Sequence, residues 1–303
     1  MARVIIGIHG LGNKPDKDTL KEWWQLSMLE GLENNGFKND LPEFELVYWA
    51  DIIHEKPLNK NTKDPDSPYY IDEVYKPSPE NFVPAEKKLH KKLFRFLGNQ
   101  LNKIFLNEDY TLKYSFLVDY IVRKYFKSLE IYYKEECTTE EEKDCKVKEM
   151  IKQRLSNVLK KHNNDEIMLI SHSMGSIIAY DVLSFFSPNV KVHSFVTIGS
   201  PLGLPLIVSK IAAQYKKNTK GKNEMITPPG VYGKWCNLYD ILDRIVLNHK
   251  LALRYKSNYH SVEPEDFEVI NDYHNQEDEH NPHKSYGYLR TRELAGILND
   301  FIT

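Results

Sequence analysis

The stretch from Asp165 to Asp181, Asp-Glu-Ile-Met-Leu-Ile-Ser-His-Ser-Met-Gly-Ser-Ile-Ile-Ala-Tyr-Asp, restricts what this chain can fold into more than any other. Ile167 to Ile170 form a short apolar run, β-branched at both ends, which reads as a buried strand; Ile177, Ile178 and Leu183 then recur at helical spacing. The period changes across Ser171-His-Ser-Met-Gly175. A strand entering a helix through so sharp a turn brings backbones together, so the positions two before and two after the apex have to be small. Ser171 and Gly175 meet that demand and leave Ser173 at the apex, its hydroxyl projecting above the sheet from a strained backbone. The N-terminus of the following helix supplies N–H groups and a dipole that favour developing negative charge.

The five residues match G-x-S-x-G with serine in the first glycine position, in the strand-turn-helix context the pattern requires. They resemble the nucleophile elbow of the α/β-hydrolase superfamily, and more narrowly the lipase-like serine esterases, some of which carry Ser-His-Ser-x-Gly. A second stretch agrees. Arg3-Val-Ile-Ile-Gly-Ile-His-Gly10 reads as a buried parallel strand ending in His9-Gly10-Leu11-Gly12, which is similar to the oxyanion loop of these enzymes. The resemblance implies that the backbone N–H groups of Leu11 and Met174 receive the oxyanion. An ordinary Gly-rich turn or a phosphate cradle is the other use of such a loop, but neither G-x-G-x-x-G nor G-x-x-x-x-G-K-[ST] is present. His9 also reads as a packed, hydrogen-bonded loop histidine. Gly199-Ser-Pro-Leu-Gly203 resembles a turn close to the nucleophile in lipase-like hydrolases, so His9, Gly10, His172, Ser200 and Pro201 are expected around bound substrate.

Serine at its free pKa is a poor nucleophile and needs a base within hydrogen-bond reach and a carboxylate to orient that base. In this superfamily the chain order is serine, acid, histidine. Asn237-Leu-Tyr-Asp-Ile-Leu-Asp-Arg-Ile-Val246 offers Asp240 and Asp243. The similarity of Asp-Arg-Ile-Val to the segment carrying the acid in related hydrolases favours Asp243 and leaves Asp240 a loop-capping use. His274, His280 and His283 compete as base. Asn281-Pro-His-Lys-Ser-Tyr286 resembles family members with His-x-x-Tyr before the C-terminal helix, which favours His283; the acidic loop Gln276-Glu-Asp-Glu-His280 reads as solvated surface.

The rest of the chain supplies the frame. Thr19 to Leu32 is an amphipathic helix that Gly36 can close, and Phe44 to Ala50 a strand ending at Asp51 on the edge that holds His9 and Ser173. From Ile52 to Pro84 periodicity fails among Pro, Asn, Asp and Lys, an excursion from the core; helical patterns follow over 85–105 and 112–133. The charged helix Glu140 to Lys161 leads to the Ser173 turn. Lys191 to Gly199, Lys234 to Asp240 and Phe267 to Ile270 read as strands, Gln214 to Gly230 as a polar loop, and Leu294, Ile297, Leu298 and Phe301 mark a last helix. Alternation of strands and helices implies an α/β fold, a mostly parallel sheet with helices on both faces. The expected organisation is an α/β-hydrolase core over 1–51 and 137–303, with an inserted helical cap over 52–136 that the resemblance leaves unmatched. Solvated decoration or a membrane-surface role are the cap's other uses.

Composition removes several function classes. A formal net charge of −2 gives no field to gather nucleic acid or an anionic membrane surface. The 3 cysteines, Cys137, Cys145 and Cys236, lack C-x-x-C spacing, so neither a disulfide framework nor a zinc site is expected, and the histidines lack H-E-x-x-H spacing. No metal or organic cofactor is implied. Val4 to Ile8 is a strand-like run without a secretory n-region, and no stretch has the length of a membrane span, which together lead to an expectation of a cytoplasmic protein. The resemblance implies a serine hydrolase acting on a small-molecule ester or a lipid. Acyl transfer or thioester hydrolysis would use the same residues, and a non-catalytic binding protein on the same fold is the alternative from another class. Oligomeric state is not legible.

Overall fold

The computed structural model describes residues 1–79, 142–218, 225–243, 245 and 250–303. Its centre is a parallel sheet whose strands are β1 (Arg3–Ile8), β2 (Glu43–Val47), β3 (Glu166–His172), β4 (Val192–Ile198), β5 (Val231–Asp240) and β6 (Pro264–Val269), in spatial order β2-β1-β3-β4-β5-β6. The helices are α1 (Lys17–Asn34), α2 (Ala50–Ile53), α3 (Glu142–Lys161), α4 (Met174–Asp181), α5 (Pro205–Asn218), α6 (Ser285–Leu289) and α7 (Arg292–Ile302).

Strand alternation divides the core in two. In β1, Val4, Ile6 and Ile8 face the side covered by Leu155 and Leu159 of α3, Ile177 and Ile178 of α4 and Ile207 and Ile211 of α5. Ile5, Met168 and Ile170 face the other side, against Trp24, Met28 and Leu32 of α1 and Leu294, Leu298 and Phe301 of α7. Strands buried on both faces read as continuous apolar runs, which is why β1 and β3 stand out in the sequence. Strand order reverses between β1 and β3, so the loops leaving their carboxyl ends diverge and open a crevice between them, the usual ligand position in an open parallel sheet. This is the layered α/β core expected, with helices on both faces.

Differences from the sequence reading have local causes. The second strand stops at Val47, because Trp49 turns to bond the loop after β1 and the chain enters α2; Asp51 then lies in α2 and pairs with Arg154 of α3. The expected polar loop from Gln214 is helical through Asn218, since Ile207, Val208, Ile211, Ala212 and Tyr215 supply a buried face that outweighs the lysines around it. The excursion after Ile52 lies closer to the core than expected. Ile71 is buried, Gln276 donates to its carbonyl, and Tyr273 donates to the carbonyl of Val74, so this segment is strapped to the loop after β6. The helical patterns over 85–105 and 112–133 lie outside the described residues. Among the described residues no helix is long and apolar enough to cross a membrane.

Candidate active site

The turn after β3 has the strain that crowding demands. Ser173 sits at φ 53°, ψ −127°, outside the helical and extended regions. A Cβ at Gly175 would lie 2.6 Å from the Ile8 carbonyl oxygen and 2.7 Å from that of His9, so α4 crosses β1 where only hydrogen fits. Gly10 approaches from the other side, its would-be Cβ 2.8 Å from that of Ser173. Beneath the apex, Ser176 Oγ donates to the Ser173 carbonyl at 2.6 Å and shares a 2.7 Å hydrogen bond with Ser200 Oγ. Ser200 also accepts from the Leu202 N–H, so it braces the turn rather than lining the cavity.

Two loops from the far half of the sheet meet this apex. His283 Nε2 lies 2.9 Å from Ser173 Oγ, and His283 Nδ1 lies 2.7 Å from Asp243 Oδ2. The Asp243 side chain has 0% exposure, and that of His283 has 27%, so one end of the series is dry and the other opens to the cavity. Asp243 Oδ1 accepts from the Ile245 N–H at 2.9 Å, and Oδ2 accepts a second hydrogen bond from the Tyr288 hydroxyl at 2.9 Å. The same hydroxyl accepts from the Asp240 N–H, joining β5 to α6. Asp240 points elsewhere: its carboxylate accepts from the N–H groups of Leu242 and Asn271, which closes two turns, and burial pushes its pKa up. His280 Nε2 bonds the Asn271 carbonyl and His274 Nδ1 that of Asp272, so neither shares the Ser173 neighbourhood.

The histidine-glycine loop after β1 is tied down by His9. The Trp49 N–H donates to His9 Nε2 at 2.9 Å, which leaves the hydrogen on Nδ1, 2.8 Å from the Gly10 carbonyl it bonds. The imidazole stacks on Trp49 with centroids 4.8 Å apart, and burial first, with Lys14 adding to it, lowers its pKa to about 3. It is a neutral positioning group. Because a trans peptide points its N–H opposite to its C=O, holding the Gly10 carbonyl also orients the Leu11 N–H. Met174 is the first residue of α4, so its N–H has no intrahelical acceptor.

A cavity of about 210 Å³ lies over these groups. His9, Leu11, His172, Ser173, Met174, Pro201 and His283 line it, whereas Gly10 and Ser200 do not. His172 Nε2 donates to the His283 carbonyl at 2.7 Å, and burial, followed by the charge His283 can carry, holds its pKa well below the usual range. It fixes the backbone that carries the His283 side chain. Tyr288, Ser176, Lys14 and Glu73 are the residues that sequence reading missed. The His-x-x-Tyr pattern pointed to Tyr286, which packs edge-on against Trp23, Tyr75 and Tyr273.

Sheet, crevice and elbow have the architecture of an α/β-hydrolase core. Residues 137–225, spanning α3, the Ser173 turn, β4 and α5, match the family model described as LCAT, Lecithin:cholesterol acyltransferase. No curated protein matches the chain. Among the described residues one carboxylate and histidine group has the spacing of metal ligands, Glu43, Glu45 and His162; there both ring nitrogens of His162 already bond carboxylates, Glu45 and Asp165.

Proposed function

We propose that the protein is a serine hydrolase that cleaves a carboxylic ester, with lipid esters as the substrate class, through an acyl-enzyme. The observation that carries this reading is the unbroken series Ser173 Oγ, His283 and Asp243 at hydrogen-bond distance on the floor of a cavity. Ser173 Oγ attacks the ester carbonyl carbon while His283 Nε2 takes its proton. Asp243 holds the imidazolium and its tautomer. Negative charge on the former carbonyl oxygen is received by the Leu11 and Met174 N–H groups, aimed by His9 and by the start of α4. His283 returns the proton to the departing alcohol, and the acyl group stays on Ser173. Water then attacks the acyl-enzyme, with His283 as base, and frees the acid and the serine.

Acyl transfer to an alcohol is the same chemistry with a different second acceptor, and the match of residues 137–225 to an acyltransferase family makes it the second reading. The same reading treats 52–136 as an insertion that shapes substrate choice; Glu73, from its first part, stands in the cavity wall. Labelling with a fluorophosphonate, followed by mass spectrometry of the modified peptide, tests the proposal. Modification of Ser173 is expected, and absence of any serine label would move the weight to a non-catalytic binding protein. Adding long-chain alcohol acceptors to an ester assay and measuring new ester against free acid separates transfer from hydrolysis.

A further inference from the structure

The cavity is lined by two unlike sets of residues, which meet where the Lys284 ammonium lies 5.0 Å from the Tyr286 ring centroid. Leu20, Trp24, Met174, Pro201, Ile245 and Tyr286 make an apolar one, which a hydrocarbon segment fits. Lys14, Lys284, Glu73 and Asn281 make a polar one. On the polar wall the charges do not balance. Glu73 is already engaged by Lys284 Nζ at 2.5 Å and by the Asn281 amide. Lys14 has no carboxylate within ion-pair distance among the described residues, and its ammonium donates to the carbonyls of Leu11, Gly12 (3.2 Å) and Asn13 (3.4 Å). The two longer contacts are weak and easily exchanged for a stronger acceptor. A half-buried cation that faces carbonyl dipoles and one carboxylate shared with another lysine is placed to take an anion from the cavity.

We propose that the substrate carries an anionic group, carboxylate or phosphate, which binds the Lys14 ammonium while the hydrocarbon part lies along the apolar wall and the ester meets Ser173. This rests on the ester-cleaving reading and adds the substrate's charge to it. Lys14 lies on the loop whose Leu11 N–H is proposed to receive the oxyanion, which puts the anion beside the reacting carbonyl. The other titratable groups around Lys14 do not cancel its charge. His9, His54 and His172 are each held below the usual histidine range, with burial the first cause, and Lys284 repels Lys14. Burial, with Lys284 behind it, lowers the pKa of Lys14 to about 7, and Glu73 only partly offsets this. Lys14 is charged below that pH, so a preference for anions is present in mild acid and fades as pH rises through about 7.

The test has a binding arm and a turnover arm. In Ser173→Ala protein, calorimetric titration compares hexanoate, hexyl phosphate, hexanol and hexyltrimethylammonium. Hexanoate and hexyl phosphate are expected to bind roughly ten- to a hundredfold more tightly than hexanol, with the quaternary ammonium weakest; the ratio of the two anions separates a carboxylate from a phosphate site. In the Lys14→Gln protein, whose amide still donates to the Leu11 carbonyl, the anion-to-hexanol ratio should fall to near one. Lys14→Arg should restore it. The turnover arm takes the ratio of kcat/KM for the p-nitrophenyl monoester of glutaric acid to that for its methyl ester, from pH 5.5 to 8.5. Taking the ratio cancels the titration of the base, and it should decline through about pH 7. Equal binding of hexanol and the anions, or a Lys14→Gln ratio equal to that of the unmodified residue, overturns the proposal. If neither ester is turned over and no serine is labelled, the ester-cleaving reading fails while the binding arm still decides the anion site.

Discussion

The turn after β3 and the turns after β5 and β6 deliver their side chains to one place by different means. Ser173 is held by its own backbone: φ 53°, Gly175 pressed on the Ile8 and His9 carbonyls, and Ser176 fastened beneath. His283 and Asp243 are held by side chains that arrive from elsewhere. His172 fixes the His283 carbonyl, the Ile245 N–H and Tyr288 hydroxyl fix the carboxylate, and Gly199 leaves the room in which they meet. The Ser173 half is therefore set by its own turn, wedged against the Ile8 and His9 carbonyls. The acid-base half is rigid only through contacts between residues far apart in sequence, and it should degrade gradually when those contacts are removed.

The largest expected effect tests the half made of backbone. Ser173→Ala should lower kcat/KM for a p-nitrophenyl ester by roughly 10⁴-fold or more with the far-UV spectrum and melting temperature preserved, because the turn needs small neighbours and not the hydroxyl itself. Full activity in that variant would sink the assignment of the nucleophile.

The next sharpens the contrast between the two aspartates. Asp243→Asn should cost roughly 10³- to 10⁴-fold in kcat, since an amide favours the wrong tautomer of His283 and cannot balance an imidazolium. Asp240→Asn should cost less than about tenfold in kcat and show mainly as lost stability, on the order of 1–3 kcal/mol, because it removes an acceptor from buried N–H groups. Steady-state kinetics beside urea melts separates the two, and reversed effects would move the acid to Asp240.

Smaller changes probe how tightly the acid-base half is built. Gly199 has φ 55°, and a Cβ there would lie 3.0 Å from the Tyr288 ring and 3.3 Å from both Asp243 Oδ2 and His283 Nδ1. Gly199→Ala should therefore displace the pair and lower kcat by about a hundredfold, the loss typical of a misplacement near 1 Å. A variant with unchanged kcat would show that these loops yield, contrary to the comparison. Smallest is Tyr288→Phe, which removes one hydrogen bond from Asp243 and one from the Asp240 N–H. The expected loss in kcat is roughly tenfold, in line with one hydrogen bond to a charged group. KM should change little, a split that a general loss of packing would not produce.

The elbow was legible because its requirements are local. A change of period, a small residue on each side and a serine between them are written in adjacent positions, and each follows from the crowding that the structure shows at Gly175. Sheet and layers were legible for a similar reason, since strands buried on both faces leave apolar runs such as Val4 to Ile8 and Ile167 to Ile170. Single residues fared less well wherever one residue type had several uses. Asp240 ends β5 and Asp243 follows three positions later, and composition does not say which carboxylate accepts from the Asn271 N–H and which meets His283. Ser200 and Pro201 are adjacent in one turn, yet only Pro201 lines the cavity.

By itself, then, the sequence determined the parallel α/β core and the apex at Ser173, because hydrophobic period and backbone crowding act over neighbouring residues. Tertiary structure alone decided the rest. Tyr288 reaches Asp243 across two loops, His9 is braced by Trp49 from the next strand's end, and Glu73 comes from a segment without period to engage Lys284. The charge left on Lys14 belongs to the same class. The fold brings Lys14 into the cavity wall and, among the described residues, gives the nearby Glu73 carboxylate to Lys284, an allocation that depends on distances no spacing in the chain encodes.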